Sequence, residues 1–372
     1  MNTVAEESKV AYNYLGRSGL KVSNLTLGCM TFGVASAGLP GQCDEESSHK
    51  VIDRYVQWGG NVLDTANVYS DGLSENIIGS WLSKQSRDDF VVATKVRGQE
   101  KPVRVDNRGL SRRHIVHALE GSLERLKTDY VDLYQMHLWD DATPIEETLR
   151  TLDDLVRCGK VRYVGASNVV GWQLQKIVDL TEKMGFNPCV SLQQQYSLAV
   201  RECEFEVFQV CKQNGIGVLP WSPLKGGLLS GKYQRDTKPS EGRIGWVMQD
   251  EPKRATQACP AWGQVSAQDR VWNTLDVMKS CATKHGKSVA QVALRWLLQK
   301  DVVSSVVIGA RTLDQLDDNM GAANGWKLTH EEMTQLDQAS QPEVPYPYEM
   351  VWRLNKDRCN TFVPSFYVGN TC

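Results

Sequence analysis

Four residues carry side chains that, brought together, can protonate an oxygen: Asp64, Tyr69, Lys95 and His137. A free phenol titrates at a pKa of about 10 and seldom exchanges its proton readily at neutral pH. A buried ammonium beside it favours the phenolate and lowers that pKa. A carboxylate paired with the ammonium keeps it charged despite burial. An imidazole can orient the phenol, or the oxygen that receives the proton, through a hydrogen bond. Lys95 suits the first task, Asp64 the second and His137 the third. Such a set is a general acid for a carbonyl that becomes an alkoxide, with electrostatic support. Taken singly, each residue also has an ordinary reading: Asp64 as a turn cap, Lys95 as a solvated strand edge, His137 as a hydrogen-bonded structural residue.

The elements that must position them alternate along the chain. Strand-like apolar runs occupy 25–28, 61–64, 90–95, 131–137, 161–165, 189–193, 217–220 and 303–308. Helix signals fill the intervals. Ser111 caps a helix whose inner stripe is Ile115, Leu119, Ser122 and Leu126. Thr143 to Glu146 combines a capping box with proline at the first helical position, and Gly159 ends that helix after Cys158. Thr312 to Gln315 and Thr329 to Glu332 form two more capping boxes. Eight β-then-α units predict an α/β fold, a (β/α)8 TIM barrel, in preference to the alternative of an open doubly wound sheet. Residues 12–23 read as a hairpin before the first barrel strand. Residues 233–264 are too long for a simple connection and read as a lid loop. The whole chain, 1–372, reads as one barrel domain with a core over about 14–340 and a C-terminal extension, 341–372.

Barrel enzymes place reactive groups just past the C-terminal ends of the strands. The first polar residues there are Asp64, Lys95, His137, Ser167, Asn168, Gln193, Ser222 and Arg311, with Tyr69 in the loop after Asp64. Met30, Phe32, Trp139 and Trp172 are candidates for an apolar substrate mouth, though tryptophans serve equally often in a core.

Composition narrows the function classes. A formal net charge of −2 offers no electrostatic case for nucleic acid or an anionic membrane. No window has the apolar length of a membrane span, and the first ten residues lack the apolar stretch of a secretory signal. The 10 cysteines show no C-x-x-C pair and no metal-ligand spacing with histidine, so no metal is expected. Reduced thiols and a cytoplasmic location are the expectation.

Several motifs also resemble one family over about residues 14–339. Residues 15–23 (LGRSGLKVS), 61–79 (NVLDTANVYSDGLSENIIG), 159–168 (GKVRYVGASN) and 220–233 (PWSPLKGGLLSGKY) are jointly similar to the aldo-keto reductases. The run DLYQMHLWD, 132–140, is closest to the aryl-alcohol dehydrogenase-like and potassium-channel β-subunit-like branches. The resemblance implies the same tetrad of Asp64, Tyr69, Lys95 and His137, and reduction of a small-molecule carbonyl by NADP(H). It implies that Ser167, Asn168 and Gln193 hold the nicotinamide carboxamide and that Tyr196 stacks on the ring. Trp221, Ser222, Pro223, Leu224 and Gly227 would follow the pyrophosphate and its ribose, with Gly309 beside the adenosine end and Gln315 and Asn319 holding it. As plain residues, Tyr196 and Trp221 suit a core and Gly227 a turn.

Arg311, just before a capped helix, suits a ribose 2′-phosphate and so favours NADPH. The alternative for Arg311 is a surface pair with a carboxylate such as Asp314. For the whole chain, the alternatives are an NADPH-binding regulatory or redox-sensing subunit with slow turnover, which would allow a membrane-channel partner, and a barrel of unrelated chemistry. An aromatic tail (Tyr346, Tyr348, Trp352, Phe362, Phe366) suits either docking on the barrel or a homo-oligomer contact.

Overall fold

Strands of alternating or continuous apolar character, each followed by a helix, close into a ring. In the computed structural model, which describes residues 9–34, 42–240, 242–256 and 260–358, ten strands are present. Strands β1 (Tyr12–Tyr14) and β2 (Lys21–Ser23) pair antiparallel as a hairpin. Strands β3 (Leu25–Gly28), β4 (Val62–Asp64), β5 (Val91–Val96), β6 (Val131–Met136), β7 (Val161–Ser167), β8 (Cys189–Gln195), β9 (Gly217–Trp221) and β10 (Val306–Ile308) form one parallel sheet, in the order β10-β3-β4-β5-β6-β7-β8-β9. Ser304 and Val302 exchange backbone hydrogen bonds with Val218 of β9, which brings the two edges together and closes the (β/α)8 barrel. The open doubly wound alternative is thereby excluded.

The hairpin plugs the N-terminal end of the barrel. Leu15 and Val22 join Val62, Val91, Ala93, Leu133, Leu219 and Val307 in an apolar cluster inside the strands. At Gly16 the backbone is left-handed (φ 55°), and any Cβ would sit about 2.5 Å from the carbonyl oxygen of Gly215. Only glycine permits that approach.

Most helix expectations hold. Ser111 accepts a hydrogen bond from the N–H of His114 and caps the helix Arg112–Leu126, whose Ile115, Leu119, Ser122 and Leu126 are all buried. Thr329 and Glu332 form the reciprocal box of the helix His330–Ala339. Thr312 caps the helix Leu313–Met320, but Gln315 reaches back to the N–H of Arg311 rather than to that of Thr312. One box fails. Pro144 is the N-cap of the helix Ile145–Arg157 and makes no side-chain cap, because Thr143 donates instead to Asp140. Gly159 (φ 84°) does end that helix after Cys158.

The long loop is not structureless. It contains the helix Gly242–Met248, whose Ile244 and Val247 are fully buried, and the helices Glu251–Arg254 and Trp262–Ser266. The tail docks on the barrel: Tyr348, in the helix Tyr348–Asn355, stacks on Phe205 at 5.4 Å, with Trp352 at 5.8 Å from the same ring. Phe362 and Phe366 lie outside the described residues.

Candidate active site

Side chains on a strand alternate between the two faces. Asp64 and Lys95 therefore share the barrel interior with Gln135 and Gln193, and all four are buried. Lys95 Nζ donates to Asp64 Oδ1 at 2.6 Å, to the carbonyl of Thr65 at 2.8 Å and to Tyr69 OH at 3.4 Å. The other carboxylate oxygen, Asp64 Oδ2, accepts from Gln193 Nε2 at 2.8 Å and Gln135 Nε2 at 3.1 Å. Gln135 comes from β6, beside β5, Gln193 from β8 across the ring, and Thr65 and Tyr69 from the segment that follows β4. His137 follows β6, its N–H bound to the carbonyl of Val96, and meets the edge of the Tyr69 ring at 5.7 Å. The four residues expected to act together are thus one cluster at the C-terminal mouth.

Burial sets their protonation. It removes Lys95 from water and disfavours its charge, but the Asp64 carboxylate and Tyr69 outweigh that, so the ammonium titrates above its ordinary value. Burial also pushes the Tyr69 phenol up, and Lys95 only partly opposes it. The expectation of a net lowering is therefore overturned in this state: desolvation of the phenolate exceeds the attraction of a lysine already committed to Asp64. His137 is driven down to about 3, first by burial and then by the charges of Lys95 and Arg97, and is a neutral imidazole at neutral pH.

Beside the cluster, Asn168 (φ 53°) joins three strand ends. Its Nδ2 donates to the His137 carbonyl and to Ser167 Oγ, and its Oδ1 accepts from Trp221 Nε1 at 3.1 Å. Beyond Trp221 the backbone turns sharply through left-handed conformations at Ser222, Lys225, Gly226 and Gly227. This turn floors a groove of about 360 Å³ that Ser222, Pro223, Leu224, Gly227, Gly309, Arg311, Gln315 and Asn319 all line. Asn319 Nδ2 reaches the Gly309 carbonyl, so this helix ties down the loop after β10. Among the described residues no ion pair joins Arg311 to Asp314.

The matching family model, the aldo/keto reductase family, covers residues 24–341. The chain belongs to the aldo/keto reductase family. An uncharacterized oxidoreductase, YrpG, of Bacillus subtilis is 38% identical over 84% of this chain and 90% of its own length. The versiconal hemiacetal acetate reductase of Aspergillus parasiticus is 34% identical over 91% of this chain and 99% of its own. A norsolorinic acid reductase of Aspergillus flavus is 31% identical over 90% and 82%.

Two expected site residues of this aldo/keto reductase lie elsewhere. Tyr196 is 1% exposed, packed on Phe208 and Trp296 with its hydroxyl donating to Glu204. With Gln193 and Gln195 pointing inward, alternation sends Tyr196 outward into the layer under the helices, where it cannot stack on a bound ring. Phe32 is fully buried, held in core packing where its loop bridges to Cys43, and has no surface for a substrate. Met30 and Trp139 do keep part of their surface exposed. Trp139 pairs edge-on with the exposed Trp172 at 5.5 Å.

Sequence reasoning missed Thr31, Lys232, Arg243 and Asp318, which also line the groove. Lys232 lies within the 220–233 motif, where its position was the available signal. Arg243 had no signal, since the lid helix alone brings it there.

Proposed function

We propose that this aldo/keto reductase reduces aldehydes or ketones to alcohols with NADPH, Tyr69 supplying the proton. The observation that carries the reading is the chain from the half-buried Tyr69 to the buried Lys95–Asp64 pair at the barrel mouth, next to a groove built for an anion. The groove suits a dinucleotide. Thr31 lines it, and its buried Oγ1 has no partner in the protein. Lys232, Arg243 and Arg311 bring positive charge to its walls.

Ser222, Pro223, Leu224 and Gly227 would run along the pyrophosphate, and Gly309, Gln315 and Asn319 along the adenosine end. Arg311, at a helix start, would clamp a ribose 2′-phosphate. Ser167, Asn168 and Gln193 border the nicotinamide end. Trp221, inward on β9 as Tyr196 is not on β8, takes over the ring-stacking role. When bound, NADPH supplies the hydride.

The chain's own residues manage the proton. Tyr69 donates from its hydroxyl as the carbonyl oxygen gains negative charge. Burial keeps the phenol protonated until then, and Lys95 stabilises the phenolate that is left. Asp64 keeps Lys95 charged and in place through Gln135 and Gln193. His137, neutral, orients the carbonyl oxygen by a hydrogen bond. Met30 and Trp139 wall the mouth. The reductase names of the two Aspergillus relatives support the reductive direction.

The test is NADPH oxidation, followed by absorbance, over aromatic and aliphatic aldehydes, with NADH as control. Tyr69→Phe should lose a factor of about 10² to 10⁴ in kcat. Unchanged turnover in that variant would remove Tyr69 as the acid. Tight NADPH binding without turnover would favour a cofactor-sensing subunit.

A further inference from the structure

The barrel mouth carries a cation that neither the proton chain nor the groove uses. Arg97 follows β5, two residues past Lys95. Val96 closes β5 and packs in the layer beneath the helices, and Arg97 is the first residue beyond it. There the backbone leaves the strand at φ 139°, in a region that favours glycine, and the N–H of Gly109 holds the Arg97 carbonyl at 2.8 Å. The next residue, Gly98, packs against Val68, the neighbour of Tyr69. Arg97 thus stands at the corner of the proton-donating loop.

Its guanidinium has no assigned work. Among the described residues it makes no hydrogen bond and no ion pair, and its Nε is buried without a partner. Asp140 feels its charge but is already filled by Leu110 N–H, Ala142 N–H and Thr143 Oγ1. His137 feels it too. Among the described residues no acceptor is committed to this partly exposed guanidinium, so its fork is open to one that comes and goes. The cofactor's phosphates are not that acceptor. The groove stands on the ends of β9 and β10, and β5 lies opposite β9 in the ring. On the Arg97 side the mouth is walled instead by the Trp139–Trp172 pair and the exposed Leu138.

We propose that Arg97 is a specificity-determining residue that binds a carboxylate on the substrate, which selects aromatic aldehydes or ketones carrying an acid group away from the reacting carbonyl. A guanidinium fork matches a carboxylate in two parallel hydrogen bonds, and the tryptophans offer a face for the ring. The word substrate rests on the reductase reading above, but the anion site can be measured without turnover.

The experiment is calorimetric binding of 1-naphthoate, and of its neutral isostere 1-naphthamide, to the full-length wild type, Arg97→Gln and Arg97→Lys. The wild type is expected to prefer naphthoate by about tenfold or more. Arg97→Gln should abolish that preference, and Arg97→Lys should keep part of it, because an ammonium retains the charge but not the fork. Equal affinities in the wild type, or an unchanged preference in Arg97→Gln, would overturn the proposal. Should Arg97→Gln fail to fold, an undiminished preference in Arg97→Lys would overturn it equally. In parallel, NADPH oxidation with 4-carboxybenzaldehyde and its methyl ester tests the underlying reading. If neither is turned over, the reductase reading falls, while binding still decides the anion site.

Discussion

The two ends of the barrel interior are made by the same strands and obey opposite rules. On β4 the inward residues are Val62 and then Asp64, on β5 Ala93 and then Lys95, on β6 Leu133 and then Gln135. The first of each pair joins the apolar plug under the hairpin. The second enters the hydrogen-bonded layer around Asp64. Apolar burial stabilises the lower layer at roughly 25 cal/mol per Å². The upper layer gains little, since a buried ion pair is seldom better than apolar residues of the same volume. Two residues along a strand separate a layer that holds the barrel from one that carries the proposed proton chain.

The largest expected effect breaks the upper layer. Lys95→Met leaves Asp64 buried and unpaired, so turnover should vanish and stability should drop by roughly 3–5 kcal/mol. Denaturant titration of the double variant Asp64→Asn/Lys95→Met sharpens the comparison. Most of the stability should return while activity does not. A double variant as unstable as the single one would show that the polar layer is structural after all.

Below it, Leu133→Ala should cost about 2–5 kcal/mol in the same titration. Its kcat should change little, because the lower layer touches no reacting group. A comparable loss of kcat would mean that the two layers are coupled.

Arg311→Gln leaves both layers alone and addresses the groove. The KM for NADPH should rise by about tenfold to a hundredfold, with kcat and the KM for NADH nearly unchanged. A parallel rise for NADH would move Arg311 away from the 2′-phosphate.

The smallest effect concerns pH. His137 titrates lower in the fold than in the unfolded chain, so the unfolded chain binds the extra proton first. The stability this contributes is complete above about 6.5. It is lost progressively as pH falls toward about 3. His137→Asn should flatten that part of the stability curve, and an unchanged slope would place the acid sensitivity elsewhere.

Local signals carried much of this into view. Eight strand segments could be read because each is a short apolar run closed by a turn signal, and Ser111, Gly159 and Thr329 mark helix ends by their own chemistry. That Asp64, Tyr69, Lys95 and His137 would cluster was legible because four chemically complementary residues fall at the ends or in the loops of successive strands. The failures also have physical causes. Tyr196 was expected in the site only through the family resemblance, and the alternation of β8 turns it outward into the core that its plain reading as an aromatic already suited. Phe32 lies beyond the regular strand, where alternation no longer predicts burial. Pro144 lost its expected place because Asp140, in the preceding loop, captured the Thr143 hydroxyl.

By itself, the sequence determined the order of elements, the apolar faces and the set of groups able to move a proton, all of which depend on near neighbours along the chain. Only the tertiary structure decided the rest. It paired Lys95 with Asp64 across adjacent strands, recruited Gln135 and Gln193 to the same carboxylate, and brought Arg243 of a distant helix to the groove of Arg311. It also withdrew Tyr69 from water far enough that desolvation, opposed in part by Lys95, pushes its phenol above the ordinary value. Ring closure sets these distances and the desolvation that accompanies them, and neither is a local property of the chain.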